Sequence, residues 1–397
     1  MTEIETLAVH AGRRSDLATG AVLTPLHQVT TFARAGVGVE GGYTYSRVSN
    51  PTVTALEERL AALEGGEGAV AFASGIAAID AVFRRLSAGD HIVLSDMVYG
   101  GTVRLLRDVY ARHGVTFSFA DASKPGGVAR AVRPATRLVL IESPANPTLK
   151  LADIRAVAQE CRAAGVPLAV DNTFLTPYGQ RAIDLGADLA IHSTTKYLEG
   201  HNATVGGAVV VRRGADWLEP LRLLRKCAGT IMAPFEAWLT LRGTKTLAVR
   251  LDRHAASAQV VAQFLEGRPE VRRVNYPGLA SHPQRALAAR QQRHGGGVVS
   301  FELAGGLPAV RRFADALQVV TLAENLGAVE SLLTHPATMT HAAYTPQERD
   351  ALGVTDGLLR ISVGLEAEGD ILEDLERGLR ASRGVPAPAP PAGGAAY

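Results

Sequence analysis

The sequence predicts an α/β protein with a mainly parallel sheet, followed by a smaller α+β domain. Between residues 69 and 212, short apolar runs alternate with amphipathic helical stretches. This alternation is typical of a parallel sheet with helices on both faces. After Pro234 the alternation gives way to one long amphipathic stretch and then to more widely spaced apolar runs. The 397 residues are enough for two domains.

The elements follow in order along the chain. In the first domain, short Val/Ala/Leu/Ile runs predict strands at 69–73, 91–94, 115–119, 138–141, 166–170, 188–192 and 208–211. Helical patterns occupy 52–65, 76–89, 101–114 and 151–165. In the second domain, a helical pattern spans 235–267, and strands are predicted at 271–276, 298–303, 319–322 and 358–363.

These elements divide the chain into four segments. Residues 1–60 form an irregular N-terminal arm, 61–233 the α/β domain, and 234–383 the α+β domain. Residues 384–397 are rich in Pro, Ala and Gly and are predicted to be a disordered tail.

Composition excludes several classes of protein. The formal net charge of +2 lacks the basic excess of a nucleic-acid binder. No apolar run reaches membrane-spanning length, and the first ten residues lack a secretion signal. The two cysteines, Cys161 and Cys227, lie far apart and indicate no disulfide framework. We therefore expect a cytoplasmic protein that binds neither nucleic acid nor membrane.

A glycine-rich patch at 36–42 formally matches a dinucleotide-binding fingerprint. It does not follow a predicted strand and does not lead into a helix, so the required context is missing. We reject it as a nucleotide loop. His335 and His341 form no metal-binding pattern with a nearby acid, and no metal site is predicted.

The stretch from Val166 to Arg212 contains the most informative pair of residues. Asp171 ends one predicted strand, and Lys196 follows the end of the next. Ligands of parallel sheets bind outside the carboxyl ends of the strands. An acid and an amine at neighbouring strand ends, with hydroxyl groups beside the amine, suit pyridoxal phosphate, which has a ring nitrogen, an aldehyde and a phosphate. The alternative is a helix-capping aspartate and a solvated loop lysine.

Other polar residues follow further strand ends. Gly75 and Ile76 lie between a strand and a helix start, where free N–H groups offer an anion site; the simpler alternative is a helix capped by Ser74. Ser193 and Thr195 are candidate hydroxyl donors to the same anion.

Two more strand ends carry candidate ligand contacts. Tyr99 could stack on a flat cofactor, although an isolated tyrosine is more often part of the core. Asn146, between two prolines, is a candidate amide for the cofactor or for the substrate carboxylate.

Nine motifs in order along the chain resemble the cysteine/methionine-metabolism (trans-sulfuration) family of pyridoxal-phosphate enzymes, in its cystathionine γ-lyase and γ-synthase branch. They are YTYSRVSNPT (43–52), FASGIAA (72–78), VYGGT (98–102), ESPANPT (142–148), VDNTF (170–174), HSTTKY (192–197), YPGLASHPQ (276–284), TLAENLGAVESLLTHPATMTH (321–341) and LLRISVGLE (358–366). The resemblance implies an aminotransferase-like fold of type I with a seven-stranded sheet.

The resemblance also implies roles for individual residues. Lys196, Asp171 and Tyr99 are expected to be catalytic: the lysine binds the cofactor and moves a proton, the acid pairs with the ring nitrogen, and the tyrosine stacks on the ring. The other implied cofactor contacts are Tyr45, Arg47, Gly75, Ile76, Thr173, Ser193 and Thr195. The implied substrate contacts are Asn146, Glu324, Asn325, Thr340 and Arg360.

In such relatives the residues matching Tyr45 and Arg47 reach the phosphate of a neighbouring subunit. The resemblance therefore implies a homo-oligomer, a dimer with shared active sites that pairs into a tetramer. Arg360 is expected to grip the α-carboxylate of an amino-acid substrate as a bidentate pair.

Glu324 and Gly101 narrow the set of candidate activities within the family. The cystathionine branches have an acid at the position of Glu324, and methionine γ-lyases have a cysteine at that of Gly101. The alternative for Glu324 is an ion pair with a local arginine. The leading hypothesis is γ-elimination of cystathionine to cysteine, 2-oxobutanoate and ammonia. The close alternative is γ-replacement, which joins cysteine to an O-acylhomoserine; methionine γ-lyase, O-acylhomoserine sulfhydrylase and cystathionine β-lyase activities are weaker alternatives.

The chain departs from the family pattern at four places. Ala145 replaces Thr or Ser, Thr194 replaces Ala, residues 199–204 replace a Gly-His-Ser-Asp segment, and Asn325 replaces Ser. None of these changes removes a catalytic group. A hypothesis of another class, a non-enzymatic α/β binding protein, explains the fold pattern but gives the acid and lysine no purpose.

Overall fold

The computed structural model describes residues 2–39, 41–342 and 344–384, and the predicted tail lies outside these residues apart from Gly384. Within these residues, twelve strands form two sheets. The seven-stranded sheet contains β1 Gly68–Phe72, β2 His91–Ser95, β3 Thr116–Ala120, β4 Thr136–Glu142, β5 Leu168–Asp171, β6 Leu189–Ser193 and β7 Gly207–Val211. The five-stranded sheet contains β8 Val271–Asn275, β9 Val298–Leu303, β10 Thr321–Leu322, β11 Leu332–Thr334 and β12 Leu358–Ser362.

Helices cover the sheets. Their bounds are α1 Ile4–His10, α2 Pro51–Glu64, α3 Gly75–Phe83, α4 Gly100–Asp108, α5 Gly127–Ala131, α6 Ile154–Ala163, α7 Thr176–Gly179, α8 Leu218–Ala228, α9 Pro234–Thr244, α10 Leu247–Glu266, α11 Arg285–Gln291, α12 Gly306–Asp315, α13 Pro346–Ala351 and α14 Glu368–Ser382. A short 3₁₀ helix spans Tyr110–His113. The predicted boundary at 60/61 falls inside α2, which packs on β1 and β7.

The seven-stranded sheet has the order β1-β7-β6-β5-β4-β2-β3. Strands β3, β2, β4, β5 and β6 pair in parallel, whereas β7 pairs antiparallel with both β1 and β6. The α/β fold with a mainly parallel seven-stranded sheet is thus confirmed. The run at 208–211, which was grouped with the parallel strands, is antiparallel because the chain turns back and places Gly207 opposite Ser193.

Two details of the second domain differ from the prediction. The helical pattern at 235–267 forms two helices, α9 and α10, separated at Lys245 and Thr246. The buried Arg250 stabilises this break, because its guanidinium donates to the carbonyls of Gly243 and Tyr197, both at 2.8 Å. Strand β11 was missed, since a buried three-residue run gives no periodicity to detect.

Apolar side chains fill both faces of the seven-stranded sheet. Alternate residues of β1, such as Ala71 and Phe72, enter opposite cores, one covered by α2 and α6 and the other by α3 and α8. Full burial of a large side chain such as that of Phe72 contributes about 1.5–3 kcal/mol to stability. The carboxyl ends of β5 and β6 therefore project from a rigid, close-packed layer. None of the helices in the described part of the chain has the length and apolar character of a membrane span.

Candidate active site

A cavity of about 330 Å³ opens at the carboxyl ends of the parallel strands. Every predicted site residue except Tyr45 and Arg47 lines it. These residues are Gly75, Ile76, Tyr99, Asn146, Asp171, Thr173, Ser193, Thr195, Lys196, Glu324, Asn325, Thr340 and Arg360. A larger cavity of about 600 Å³ lies between α10 and α11, but it contains none of the predicted residues. We therefore place the chemistry in the smaller cavity.

Asp171 is the last residue of β5 and stands opposite Ile191 of the neighbouring β6. Its Oδ1 accepts hydrogen bonds from the backbone N–H and the hydroxyl of Thr173, at 3.1 and 2.6 Å. The Thr173 hydroxyl in turn accepts from the N–H of Ser193 at 2.9 Å, which ties the ends of β5 and β6 together. Burial raises the pKa of Asp171. A cationic group opposite this carboxylate would therefore be favoured, because it would offset the cost of burying the charge.

Lys196 lies three residues beyond the end of β6, in the same cavity. Burial, with a smaller contribution from the Arg360 charge, lowers the pKa of its amine to about 8. An amine with a depressed pKa is neutral, and hence nucleophilic or basic, in a larger fraction of molecules at neutral pH. Lys196 Nζ donates a hydrogen bond to the side-chain Oδ1 of Asn325.

A narrow cradle lies where α3 begins. Ser74 caps the helix, with its Oγ accepting from Ala77 N–H at 3.1 Å, so the capping alternative for this residue is observed. Glycine is required on both sides of the cradle. A Cβ on Gly75 would lie 2.9 Å from the Cβ of Ser193, and a Cβ on Gly207 would lie 2.3 Å from the carbonyl oxygen of Ser74. The backbone can thus approach an anion at the positive end of the helix.

The Thr195 hydroxyl beside this cradle already has partners. It donates to the carbonyl of Gly206 at 3.2 Å and accepts from the N–H of the same residue at 2.9 Å. This pair of bonds closes the loop that connects Lys196 to β7.

Tyr99 precedes α4, is 40% exposed and lines the cavity. Its ring lies directly over Gly101: a Cβ at position 101 would be 2.3 Å from Tyr99 Cε1 and 2.9 Å from Cζ. Any other residue at this position would force the tyrosine ring to move.

Glu142 is a site residue that the sequence analysis missed. This buried carboxylate ends β4, lines the cavity, and accepts from the N–H of Tyr99 at 2.7 Å and of Asn146 at 2.9 Å. Burial, and next the nearby charge of Asp171, raises the pKa of Glu142 to about 8. Its sequence signal was present, because Glu142 ends a buried strand just as Asp171 does.

Arg360, in the middle of β12, is only 2% exposed. It donates to Asn146 Oδ1, to the hydroxyl of Thr334 and to the backbone carbonyl of Asn325, each at 2.9 Å. No carboxylate of the described chain forms an ion pair with it, and its Nε–H has no partner there. Burial lowers the pKa of Arg360 to about 10. A buried guanidinium with no acid partner suits the carboxylate of a ligand.

Glu324 and Thr340 lie at the edge of the cavity. Glu324 is exposed, and within residues 2–39, 41–342 and 344–384 it takes part in no ion pair, so the alternative of a local arginine partner is not observed. The Thr340 hydroxyl shares a hydrogen bond of 2.9 Å with His341 Nδ1.

Tyr45 and Arg47 are not brought into the cavity of their own chain. Arg47 donates to the carbonyl of Lys226 at 2.8 Å, and its guanidinium lies 5.5 Å from the centre of the Tyr45 ring.

The donor set fits pyridoxal phosphate. A desolvated lysine, a buried acid on the adjacent strand and an anion cradle at a helix start match its aldehyde, ring nitrogen and phosphate. Together with the seven-stranded sheet, they define the class of pyridoxal-phosphate enzymes of fold type I. Comparison with known families agrees: residues 5–380 match the family of Cys/Met metabolism PLP-dependent enzymes, and the chain belongs to this family.

Named relatives cover nearly the whole chain. A cystathionine β-lyase of Coxiella burnetii is 45% identical over 95% of this chain and 98% of its own. A cystathionine γ-lyase of Bacillus subtilis is 45% identical over 94% of this chain and 98% of its own. The solved cystathionine γ-synthase of Xanthomonas oryzae, in complex with aminoacrylate and cysteine, has a TM-score of 0.94 and 45% identity, covering 97% of this chain and 99% of its own.

The cradle leads to a first prediction. Gly207→Ala is expected to weaken pyridoxal phosphate binding because the new Cβ collides with backbone rather than with a movable side chain. Overpacking of this kind costs about 1–3 kcal/mol, so the Kd should rise about tenfold or more. Fluorescence titration of the cofactor-free protein with pyridoxal phosphate measures this Kd. Gly369→Ala, in open space within α14, is the matched control; equal Kd values in the two variants would contradict the assignment.

Proposed function

We propose that this enzyme cleaves L-cystathionine by γ-elimination to L-cysteine, 2-oxobutanoate and ammonia. The observation that carries the proposal is Glu324, an acid without an ion pair in the described chain, at the edge of the cavity that also contains Lys196 and Arg360. Cystathionine carries a second ammonium group far from its reacting carbon. An unpaired carboxylate at the edge of the cavity is suited to attract that group.

Arg360 fixes the near end of the substrate in this scheme. Its guanidinium plane is held by Asn146 and Thr334, so it meets the α-carboxylate in one orientation. Asn146 is itself held by the Glu142 carboxylate through its N–H. Substrate orientation therefore depends on the loop after β4, the end of β11 and the middle of β12, and such orientation lowers the entropic part of the barrier.

Lys196 moves the protons. Pyridoxal phosphate, when bound, supplies the electron sink that makes the Cα–H of an amino acid acidic. Asp171 keeps the ring nitrogen protonated, which maintains that sink. Burial lowers the pKa of Lys196 to about 8, so, with its place on the cofactor taken by the substrate amine, Lys196 would be able to take the Cα proton near neutral pH.

The carboxylate of Glu324 also favours cystathionine over methionine as the substrate. Methionine lacks a distal ammonium group and gains nothing from Glu324.

The close alternative is γ-replacement, in which cysteine adds to an O-acylhomoserine. The γ-synthase of Xanthomonas oryzae is as similar as the lyases, and both reactions would use the same residues. We expect a higher kcat/KM for cystathionine, measured by 2-oxobutanoate release, than for O-succinyl- or O-acetylhomoserine with cysteine, measured by cystathionine formation. A higher kcat/KM for the ester pair would assign the enzyme as a synthase.

Glu324→Gln directly tests the residue on which the proposal rests. It preserves the shape of the side chain but removes its charge, so kcat/KM for cystathionine should fall about fivefold, a modest loss because the site is partly screened by solvent. Homocysteine, which lacks the distal ammonium, is the internal control and should be affected less than twofold. An equal loss for both substrates would mean that Glu324 does not recognise the distal end.

We further propose a dimer in which Tyr45 and Arg47 complete the cofactor site of the neighbouring subunit. Both residues lie outside the cavity of their own chain, and the arm that carries them exposes Leu17, Val22 and Val37. Such exposed apolar residues are typical of an interface.

Arg47→Ala should therefore loosen pyridoxal phosphate without unfolding the subunit. We expect the cofactor to dissociate about tenfold faster, because a guanidinium–phosphate contact is a strong charge-assisted hydrogen bond. Absorbance after gel filtration reports cofactor retention, and circular dichroism checks the fold. Retention equal to that of the unmodified protein would count against a shared site.

A further inference from the structure

A chain of side-chain hydrogen bonds runs from Lys196 to the protein surface. Lys196 Nζ donates to Asn325 Oδ1. Asn325 Nδ2 donates to Asn202 Oδ1 at 2.5 Å, and Asn202 Nδ2 donates to Glu330 Oε2 at 2.9 Å. Asn202 and Glu330 line no part of the cavity, so they can act on the reaction only through Asn325.

The two ends of this chain give it a single direction. A carboxylate such as that of Glu330 can only accept hydrogen bonds, and a lysine ammonium can only donate them. Glu330 therefore turns the NH₂ of Asn202 outward and its oxygen toward Asn325. Asn202 in turn directs the NH₂ of Asn325 toward itself, and the Asn325 oxygen is left facing Lys196.

The backbone of Asn202 supports this arrangement. Its φ of 55° lies in the left-handed region, which asparagine, aspartate and glycine tolerate better than other residues. The buried carboxylate of Glu199 fixes the same turn by accepting from the N–H groups of His201 and Ala203, at 2.9 and 3.2 Å. The turn thus presents the Asn202 side chain to Asn325 in a fixed position.

We propose that Asn202 and Glu330 are positioning residues for Lys196, acting by fixing the orientation of the Asn325 amide. The inference rests on the proposed role of Lys196 as the cofactor lysine. If a substrate amine took the place of the lysine on a bound cofactor, the Asn325 oxygen would accept a hydrogen bond from the freed amine, hold it in one position and leave its lone pair free to take a proton. Without Asn202, the Asn325 amide could rotate and present its NH₂, which would donate to the lone pair that a neutral lysine needs to act as a base and which offers an ammonium no acceptor.

Three variants separate orientation from simple loop integrity. Asn202→Gly removes the amide but retains the left-handed turn. Asn202→Asp combined with Glu330→Gln exchanges the carboxylate and the amide. The carboxylate at position 202 can still accept from Asn325, and it can also accept from the new amide at position 330. Glu376→Gln is the matched control, since this carboxylate on α14 pairs with Arg268 and Arg380, away from the cavity.

Two measurements are made on each protein. The first is kcat and KM with whichever family substrate the unmodified enzyme turns over, because the lysine serves all of these reactions. The second is the rate at which the visible absorbance band of the cofactor–lysine bond forms when pyridoxal phosphate is added to cofactor-free protein. The second measurement needs no substrate, so it remains informative even if the proposed activity is wrong.

For Asn202→Gly we expect kcat and the rate of band formation to fall about fivefold, the equivalent of losing one hydrogen bond, with KM and final cofactor content unchanged. The double variant should recover both rates to within about twofold, which is the signature of coupled neighbours. Glu376→Gln should match the unmodified protein.

Two results would overturn the proposal. Normal kcat and normal band formation in Asn202→Gly would show that Asn325 needs no support from Asn202. A double variant as slow as Asn202→Gly would trace the loss to the loop rather than to the direction of the hydrogen bonds. Failure of the unmodified protein to form the band at all would instead refute the role of Lys196 on which the inference rests.

Discussion

The buried carboxylate of Glu64 is the constraint on which the geometry of the site depends. It is the last residue of α2, is fully buried, and accepts from His192 Nε2 at 2.9 Å, from Asn172 Nδ2 at 3.3 Å and from two backbone N–H groups that precede β6. A buried carboxylate is strongly destabilising unless its oxygens are hydrogen-bonded. Because His192 and Asn172 are adjacent in sequence to Ser193 and Asp171, satisfying Glu64 also fixes the two strand ends from which the site projects.

Burial shifts the ionisable groups of the cavity toward their neutral forms. It lowers the pKa of Lys196 and Arg360 to about 8 and about 10, and it raises the pKa of Asp171 and Glu142. Three of these groups can gain a partner from a ligand: Lys196 an aldehyde with which it can form an imine, Arg360 a carboxylate, and Asp171 a cationic ring nitrogen. Glu142 differs, because it is held by two backbone N–H groups. Its part is to join the loops after β2 and β4.

The sequence predicts features that depend on local patterns and misses those that depend on long-range contacts. Asp171 and Lys196 were found because parallel strand ends share one edge of a sheet, and that rule needs only the local pattern. The same rule applied to Glu142 would have found it. Thr334 lies in a three-residue strand with no periodicity, and the contact between Asn202 and Asn325 joins segments that are distant in sequence. Such tertiary pairings leave no mark in local composition.

The two sheets contribute different parts of the enzyme, and this explains how relatives of equal similarity can bear different activity names. The groups that we propose to hold the cofactor and move protons stand at the ends of the seven-stranded sheet, where burial and the Glu64 network restrict change. Glu324 and Asn325 come instead from the loop between β10 and β11 at the edge of the smaller sheet. Glu324 is exposed there. A substitution of Glu324 is therefore expected to cost little stability and to alter how the distal end of a substrate is held, whereas Asn325 in the same loop is tied to Lys196. Divergence of activity within the family is thus expected to concentrate at the smaller sheet.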